Sequence, residues 1–380
     1  MQKRIRIVSV SIILVILLIG IIVMNNNSNN KYSFTQDGIK YALTLDGEKT
    51  TSFPPKGMYK AQVTCVGADG RWLYDEWKLA IENITSDDVT CDINFSTITK
   101  TNLNDYIISL AGSAQGTGQV VNENGYRYEG KNPNNYIWFN NEYWRIIGVF
   151  DSASHGVSGK NLVKIIRADV LDGLAWHKSN TNDWTASSLK SLLNGAYYNA
   201  QDGTSSGYCY GYSTIATANC DYTKRGIQSG YRGMIANVTW YLGGFSRTSA
   251  TTSAFYGYER GTTVYSGRPT STTGYIGLMY PSDYGYSVLS SSCTRTTNLG
   301  SYNSAKCAGQ SWLYGKGYEW TLTPNSSSSN NVFNLYNSGN LNYYYNAFYG
   351  CGSRPVLYLD ASVYKIDGDG SLKNPYIVGL

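Results

Sequence analysis

Histidine is nearly missing from this chain: two residues in 380, His155 and His177. Zinc centres built on imidazole draw several such side chains together, so that chemistry is not expected. His155 falls in a Ser/Gly loop and reads as solvated. His177, in LAWHKSNTNDW, has Asp183 close by in sequence, which is compatible with an acid–base pair and equally with a surface turn ahead of a helix. Charge is also scarce, at 15% of residues. Of the formal net charge of +5, three units belong to Lys3, Arg4 and Arg6, leaving +2 for everything else. Binding a phosphate backbone requires concentrated positive charge, so no nucleic-acid partner is expected.

Long apolar runs are lacking too, with one exception. Residues 7–24, IVSVSIILVILLIGIIVM, follow those three cations as an 18-residue apolar stretch. At about 1.5 Å rise per residue, a helix here reaches roughly 27 Å, enough to cross a bilayer's hydrocarbon core. No small-x-small cleavage site follows, which favours an uncleaved signal anchor (a transmembrane helix over residues 1–24) against a secretory signal. No acidic residue follows Gly20 as a pilin processing site requires, and no cysteine is placed for a lipid anchor. The flanking positive charge predicts a single-pass protein of the cell membrane, with a cytoplasmic amino terminus and everything after Asn25 outside.

All seven cysteines lie beyond this run, on the side where disulfides persist. Nearest-neighbour spacing suggests Cys65 with Cys91, Cys209 with Cys220 and Cys293 with Cys307, leaving Cys351 over. Spacing does not prove connectivity, and the odd thiol is open to pairing between chains. Tyrosine is in excess, at 35 residues against nine Trp and nine Phe. Its rigid ring with a polar tip suits contact surfaces, and aromatic cross-strand pairs in a β shell use it as well. With 42% hydrophobic residues, the chain can bury one sizeable core and a smaller second one.

Past a polar stalk at residues 25–31, residues 32–97 break into short alternating runs, YALTL, YKAQVTCV, WKLAIENI and TCDINF, separated by turn sequences such as DGEK and PPKG. This pattern predicts a small β-sandwich stapled by Cys65 and Cys91. Through Phe53-Pro54-Pro55-Lys56-Gly57, Tyr59, Cys65, Trp77 and Cys91, the stretch resembles a small domain recurring in membrane-anchored surface proteins of Gram-positive-type bacteria, which implies a spacer. Residues 98–124 are expected to hold one short helix, over 103–111 behind the capping residues Thr101 and Asn102, and a linker. Residues 125–380 then read as the main domain. It contains two strand runs, NYIWFNNEYWRIIGVFD and KNLVKIIRADVL, and a helix over DWTASSLKSLLNGAYY capped by Thr185. A second helix follows over TKRGIQSGYRGMIANVTWYLGG, then a long excursion rich in Gly, Ser, Thr and Tyr, and closing strands.

That order of elements is the order of the C-type-lectin-like fold. The expected class is therefore α+β: an antiparallel sheet with two helices and long irregular loops. At Trp144-Arg145, Leu192-Leu193-Asn194, Trp320-Thr321 and Arg354-Pro355-Val356, residues 135–360 resemble DUF6273, a bacterial domain family of unknown function. That family is related in fold to C-type lectins and formylglycine-generating enzymes. The latter bind copper through a cysteine pair near the carboxyl end. Cys351 stands alone there, so the resemblance carries over neither that oxidase activity nor a cofactor, and no enzyme is expected. Asp367-Gly368-Asp369-Gly370-Ser371 looks like the start of a calcium loop, but a third carboxylate is missing and Lys373 intrudes, so a tight turn is favoured over a metal site. The Glu-Pro-Asn or Gln-Pro-Asp triplets of calcium-dependent lectins are also missing.

The functional weight falls on residues 319–360, where a segment of Asn, Ser, Tyr and Gly lies between two apolar runs. It has too little aliphatic surface for a core and too little charge for a solvated tail, which points to a contact surface. Residues 332–336 and 341–345 predict a hairpin. A two-residue Ser338-Gly339 loop would mix polar and apolar side chains on both faces. A three-residue Ser338-Gly339-Asn340 loop, with positive φ at Gly339 or Asn340, pairs Leu335 with Tyr343 and Phe333 with Tyr345. This preferred register presents Asn334, Tyr336, Asn342, Tyr344 and Asn346. The expectation is a membrane-anchored extracellular binding or adhesion protein that contacts a protein or glycan through those five residues. A structural part of the cell envelope and an extracellular enzyme of the formylglycine-generating kind are the alternatives.

Overall fold

The computed structural model describes residues 34–36, 39–74, 76–213, 215–216, 219–303 and 305–380. The expected transmembrane helix lies outside the described residues. Among those that are described, no helix is long and apolar enough to cross a membrane. The α+β expectation is also corrected, because the chain is mostly β, with 38% strand and 15% helix. The second expected helix shrinks to the single turn Ser229–Arg232, followed by the strand Val238–Tyr241. Gly226, Gly230 and Gly233 account for this, since each glycine in a helix interior costs about 1 kcal/mol relative to alanine.

The chain divides into two compact units, residues 1–100 and residues 101–380. In the first, Phe34–Gln36, Ile39–Leu45, Val89–Thr97 and Tyr59–Val66 form a sheet in that order, with Glu48–Thr50 also on Ile39–Leu45. A separate hairpin, Asp69–Leu73 with Lys78–Glu82, completes the unit. Trp72 on that hairpin meets Phe53, Trp77 and Phe95 edge-on, at ring-centroid distances of 5.1, 5.2 and 5.0 Å. Trp77 Nε1 donates to Pro54 O at 2.7 Å, which ties the Phe-Pro-Pro-Lys-Gly turn to the same core. Cys65 and Cys91 face each other across paired strands and are joined, with Cα atoms 4.1 Å apart.

The helix Leu103–Ser109 belongs to the second unit rather than to a linker. Asn102 Oδ1 caps it by accepting from Asn104 N and Asp105 N, and Leu103 and Ile107 are buried in the second unit's core. The largest sheet there has Glu142–Phe150 near its centre, flanked by Leu162–Arg167 and Tyr136–Phe139. Both central runs are buried on two faces, which is why they read as near-continuous apolar stretches rather than alternating ones. Tyr376–Gly379 pairs in parallel with Tyr136–Phe139 and brings the carboxyl end into this sheet. A second sheet runs in the order Gly173–Ala175, Gly350–Gly352, Glu319–Pro324, Asn331–Leu335 and Leu341–Asn346.

The expected Thr185 cap is replaced by two others. Asp183 accepts from Thr185 N and Oγ1, at 2.9 and 2.6 Å, to start the 3-10 turn Trp184–Ala186. Ser187 Oγ then accepts from Lys190 N to start Ser188–Leu192.

Candidate binding face

Two strands of the second sheet set the geometry of the predicted hairpin, and their register differs from both expected ones. Leu335 pairs with Leu341 and Asn334 with Asn342. Tyr336 N donates to Asn340 O and Gly339 N to Tyr336 O, each at 2.9 Å, so the loop is Asn337-Ser338-Gly339 with Gly339 at φ 95°. This is still a three-residue loop, displaced by one residue. The displacement shifts cross-strand partners by two, so Asn334, Tyr336 and Asn342 stay on one face.

Beyond that point the alternation breaks. Between the pairs Asn334–Asn342 and Val332–Tyr345, one strand advances two residues and the other three. Tyr343 and Tyr344 therefore share the place opposite Phe333 as a β-bulge. Tyr343 packs toward Phe333, at 6.5 Å between centroids, and Tyr344 projects outward at 65% exposure. The bulge re-aims Tyr345 onto the face that carries Asn342 and Trp320.

The result is a continuous row of aromatic rings. Tyr336 meets Tyr318 edge-on at 4.8 Å, and Tyr318 lies nearly parallel to Tyr345 at 6.0 Å. Tyr345 also stands over Trp320 at 5.4 Å and beside Tyr349 at 5.3 Å. Tyr349 stacks on Tyr212 at 5.7 Å, with Phe348 closing the corner 5.3 Å from Tyr212. Tyr212 belongs to the Cys209–Cys220 loop. That loop comes close because a Cβ at Gly350 would lie 2.3 Å from Gly211 O, and Ser213 N donates to Phe348 O at 2.7 Å. Tyr212 and Tyr318 are exposed, and Tyr336, Tyr345, Phe348 and Tyr349 are half-buried.

Beneath the row lies a polar floor. Asn334, expected on the surface, is fully buried, because its strand has a neighbour on each side and the tyrosine layer above it. Its Oδ1 accepts from Asn342 Nδ2 at 2.9 Å, and its Nδ2 approaches Cys351 Sγ at 3.9 Å. Cys351 is a free, buried thiol, so pairing between chains would require this sheet to open. Burial pushes its pKa well up, which keeps it protonated. Arg354 binds Glu319 through Nε and, at 2.9 Å, through Nη2, and donates to Leu313 O at 2.7 Å. The charges nearest the row are therefore buried and paired, and the row itself presents neutral rings and amides.

The remaining candidates take structural places. His155 is buried rather than solvated: its Nδ1 accepts from Val157 N, its Nε2 donates to Phe150 O, and burial lowers its pKa. His177 is buried too, with Nδ1 accepting from Ser179 N, and burial lowers its pKa against the through-space pull of Asp183. Asp369 Oδ1 accepts from Ser371 N at 2.9 Å, which is a turn. Among the described residues no three or more His, Cys, Asp or Glu side chains are grouped to hold a metal ion. All three cysteine pairs suggested by spacing are disulfides, consistent with an extracellular setting.

Trp144, Leu192, Leu193, Trp320, Thr321 and Arg354, the motif residues singled out in the sequence, are all buried, so they hold the scaffold. Comparison with protein-family models, curated proteins and solved structures gave no match.

Proposed function

We propose that this chain is an extracellular binding protein and that the row from Tyr336 to Tyr212 is its contact surface. The observation that carries the reading is the row itself: aromatic rings in mutual contact, open to solvent on one side and rigidly seated on a packed sheet. Contiguous aromatic rings open to solvent mark interaction sites, whereas singly scattered ones need no explanation. The rings themselves carry no charge and Asn342 lies on the same face, which suits a neutral glycan whose C–H faces lie on tyrosine rings and whose hydroxyls meet amides.

Similarity to DUF6273 and the lectin-like folds is part of the same proposal and is supported by the buried motif residues above. The test is a glycan array probed with the full chain, followed by affinity measurement on any hit with Tyr345→Ala and Tyr212→Ala. Loss of binding in both variants, with unchanged circular dichroism, is expected. Retained binding would remove the row as the site, and a silent array with capture of a surface protein would move the ligand class from glycan to protein.

A further inference from the structure

A second polar assembly lies inside the unit of residues 101–380, apart from the aromatic row. Asp283 accepts from Arg127 Nη1 at 3.1 Å, from Lys164 Nζ at 2.5 Å and from Tyr280 N at 2.9 Å. Glu259 accepts from Ser282 N at 2.8 Å, Ser282 Oγ at 2.5 Å and Arg260 Nη1 at 3.2 Å. Both carboxylates are thus fully engaged by protein donors. Three cations, Arg127, Lys164 and Arg260, face these two carboxylates, so within this contact set positive charges outnumber negative by one; Arg295, across the Tyr286 ring from Arg127, is held by Glu123 and Glu129. His155, whose ring is 5.3 Å from that of Tyr358, adds none, because one ring nitrogen accepts from Val157 N and the other donates to Phe150 O.

Lys164 Nζ is otherwise ringed by Tyr280, Tyr358, Phe150 and Trp240, at 4.5 to 5.7 Å from their centroids. Arg127 Nη2, Arg260 Nε and the Tyr358 hydroxyl are buried and have no hydrogen-bond partner among the described residues. Arg127 and Tyr358 are each 1% exposed. Arg127 lies 4.4 Å from the Phe150 ring, which also packs on Tyr358, and Arg127 and Arg260 both lie over Tyr256.

Buried unpaired charge and unsatisfied buried donors are both strongly destabilising. A water molecule would satisfy donors and leave the charge; a small anion answers both. We infer that this cluster binds one monovalent anion of the chloride class against Arg127, Arg260 and the Tyr358 hydroxyl. Arg260, whose side chain is 12% exposed, marks the side of entry.

The test is equilibrium unfolding of the full chain against bromide, with ionic strength held constant by gluconate, together with bromide anomalous diffraction. One bound anion predicts that the folding equilibrium constant rises about tenfold for each tenfold increase in bromide above its dissociation constant. It also predicts one anomalous peak among Arg127, Arg260 and Tyr358. Tyr358→Phe removes a hydroxyl with no partner among the described residues, so the variant should fold and bind bromide on the order of tenfold more weakly. Unfolding indifferent to bromide, or a cluster occupied only by water, overturns the inference. Equal bromide dependence in Tyr358→Phe overturns the assigned position.

Discussion

Tyr212 and Tyr349 stack at 5.7 Å between ring centroids, with their planes 29° apart, although 137 residues of chain separate them. One ring comes from a loop closed by the Cys209–Cys220 disulfide and the other from the turn between two strands of the second sheet. The aromatic row is therefore completed by a covalently restrained loop.

Replacing both Cys209 and Cys220 by serine should separate the two effects of that loop. Releasing an 11-residue closure costs about 2 to 3 kcal/mol in the chain-entropy account. Ligand affinity should fall by more than tenfold, since Tyr212 leaves Tyr349. Chemical denaturation and titration of the same samples measure both, and undiminished affinity would detach the loop from the face.

Gly350→Ala tests the same junction without touching a cysteine. The added methyl meets Gly211 O, a backbone atom that cannot rotate away, so the loop must shift. A stability loss of about 1 to 3 kcal/mol is expected from such overpacking. Near-ultraviolet circular dichroism, which reports the tyrosine environment, should change at the same time.

Glu319→Gln should cost about 3 to 5 kcal/mol, because it leaves the buried Arg354 guanidinium without its carboxylate. Burial raises the Glu319 pKa against the pull of Arg354, so the carboxylate depends on that one partner. Urea unfolding of the variant measures the loss, and a change under 1 kcal/mol would show that the pair is not what holds the end of the strand Glu319–Pro324.

The buried cluster should impose an uncommon pH profile. Burial pushes Glu259 from its ordinary 4.5 up to about 7, against Arg260 and Ser282, and pushes Lys164 from 10.5 down to about 8, against Asp283. Between pH 4.5 and 7 the folded chain holds a proton on Glu259 that the unfolded chain has released, so stability falls as pH rises. Between pH 8 and 10.5 the unfolded chain holds the proton on Lys164 that the folded chain has lost, so stability rises. Glu259→Gln should flatten the first limb and leave the second, as read from denaturation midpoints across pH.

The parts legible in the sequence were those set by short-range chemistry. Three disulfides close between neighbouring cysteines, Asn102 caps its helix, and Gly339 supplies the positive φ of the hairpin loop. What escaped depends on tertiary packing. Tyr345 reaches the aromatic row only because Tyr343 and Tyr344 bulge together, and no period of two announces that. Asn334 has a surface residue's chemistry, yet a neighbouring strand on each side takes it from solvent. Tyr318, Tyr349 and Tyr212 join the row from three separate segments, and their one sequence signal was the overall excess of tyrosine. The glycine-spaced run around Ser229–Arg232 kept a helix-like apolar period but lacked the backbone propensity to hold it.

The central claim is that the row around Tyr345, rather than the outward-pointing Tyr344, makes the contact. The most direct measurement is ligand affinity of the full chain with Tyr345→Ala and with Tyr344→Ala, on a glycan recovered from the array. The account predicts at least a tenfold loss for Tyr345→Ala and less than a twofold change for Tyr344→Ala, in line with about 1 to 3 kcal/mol for a fully engaged aromatic anchor. The reverse order, or equal affinities, would contradict it.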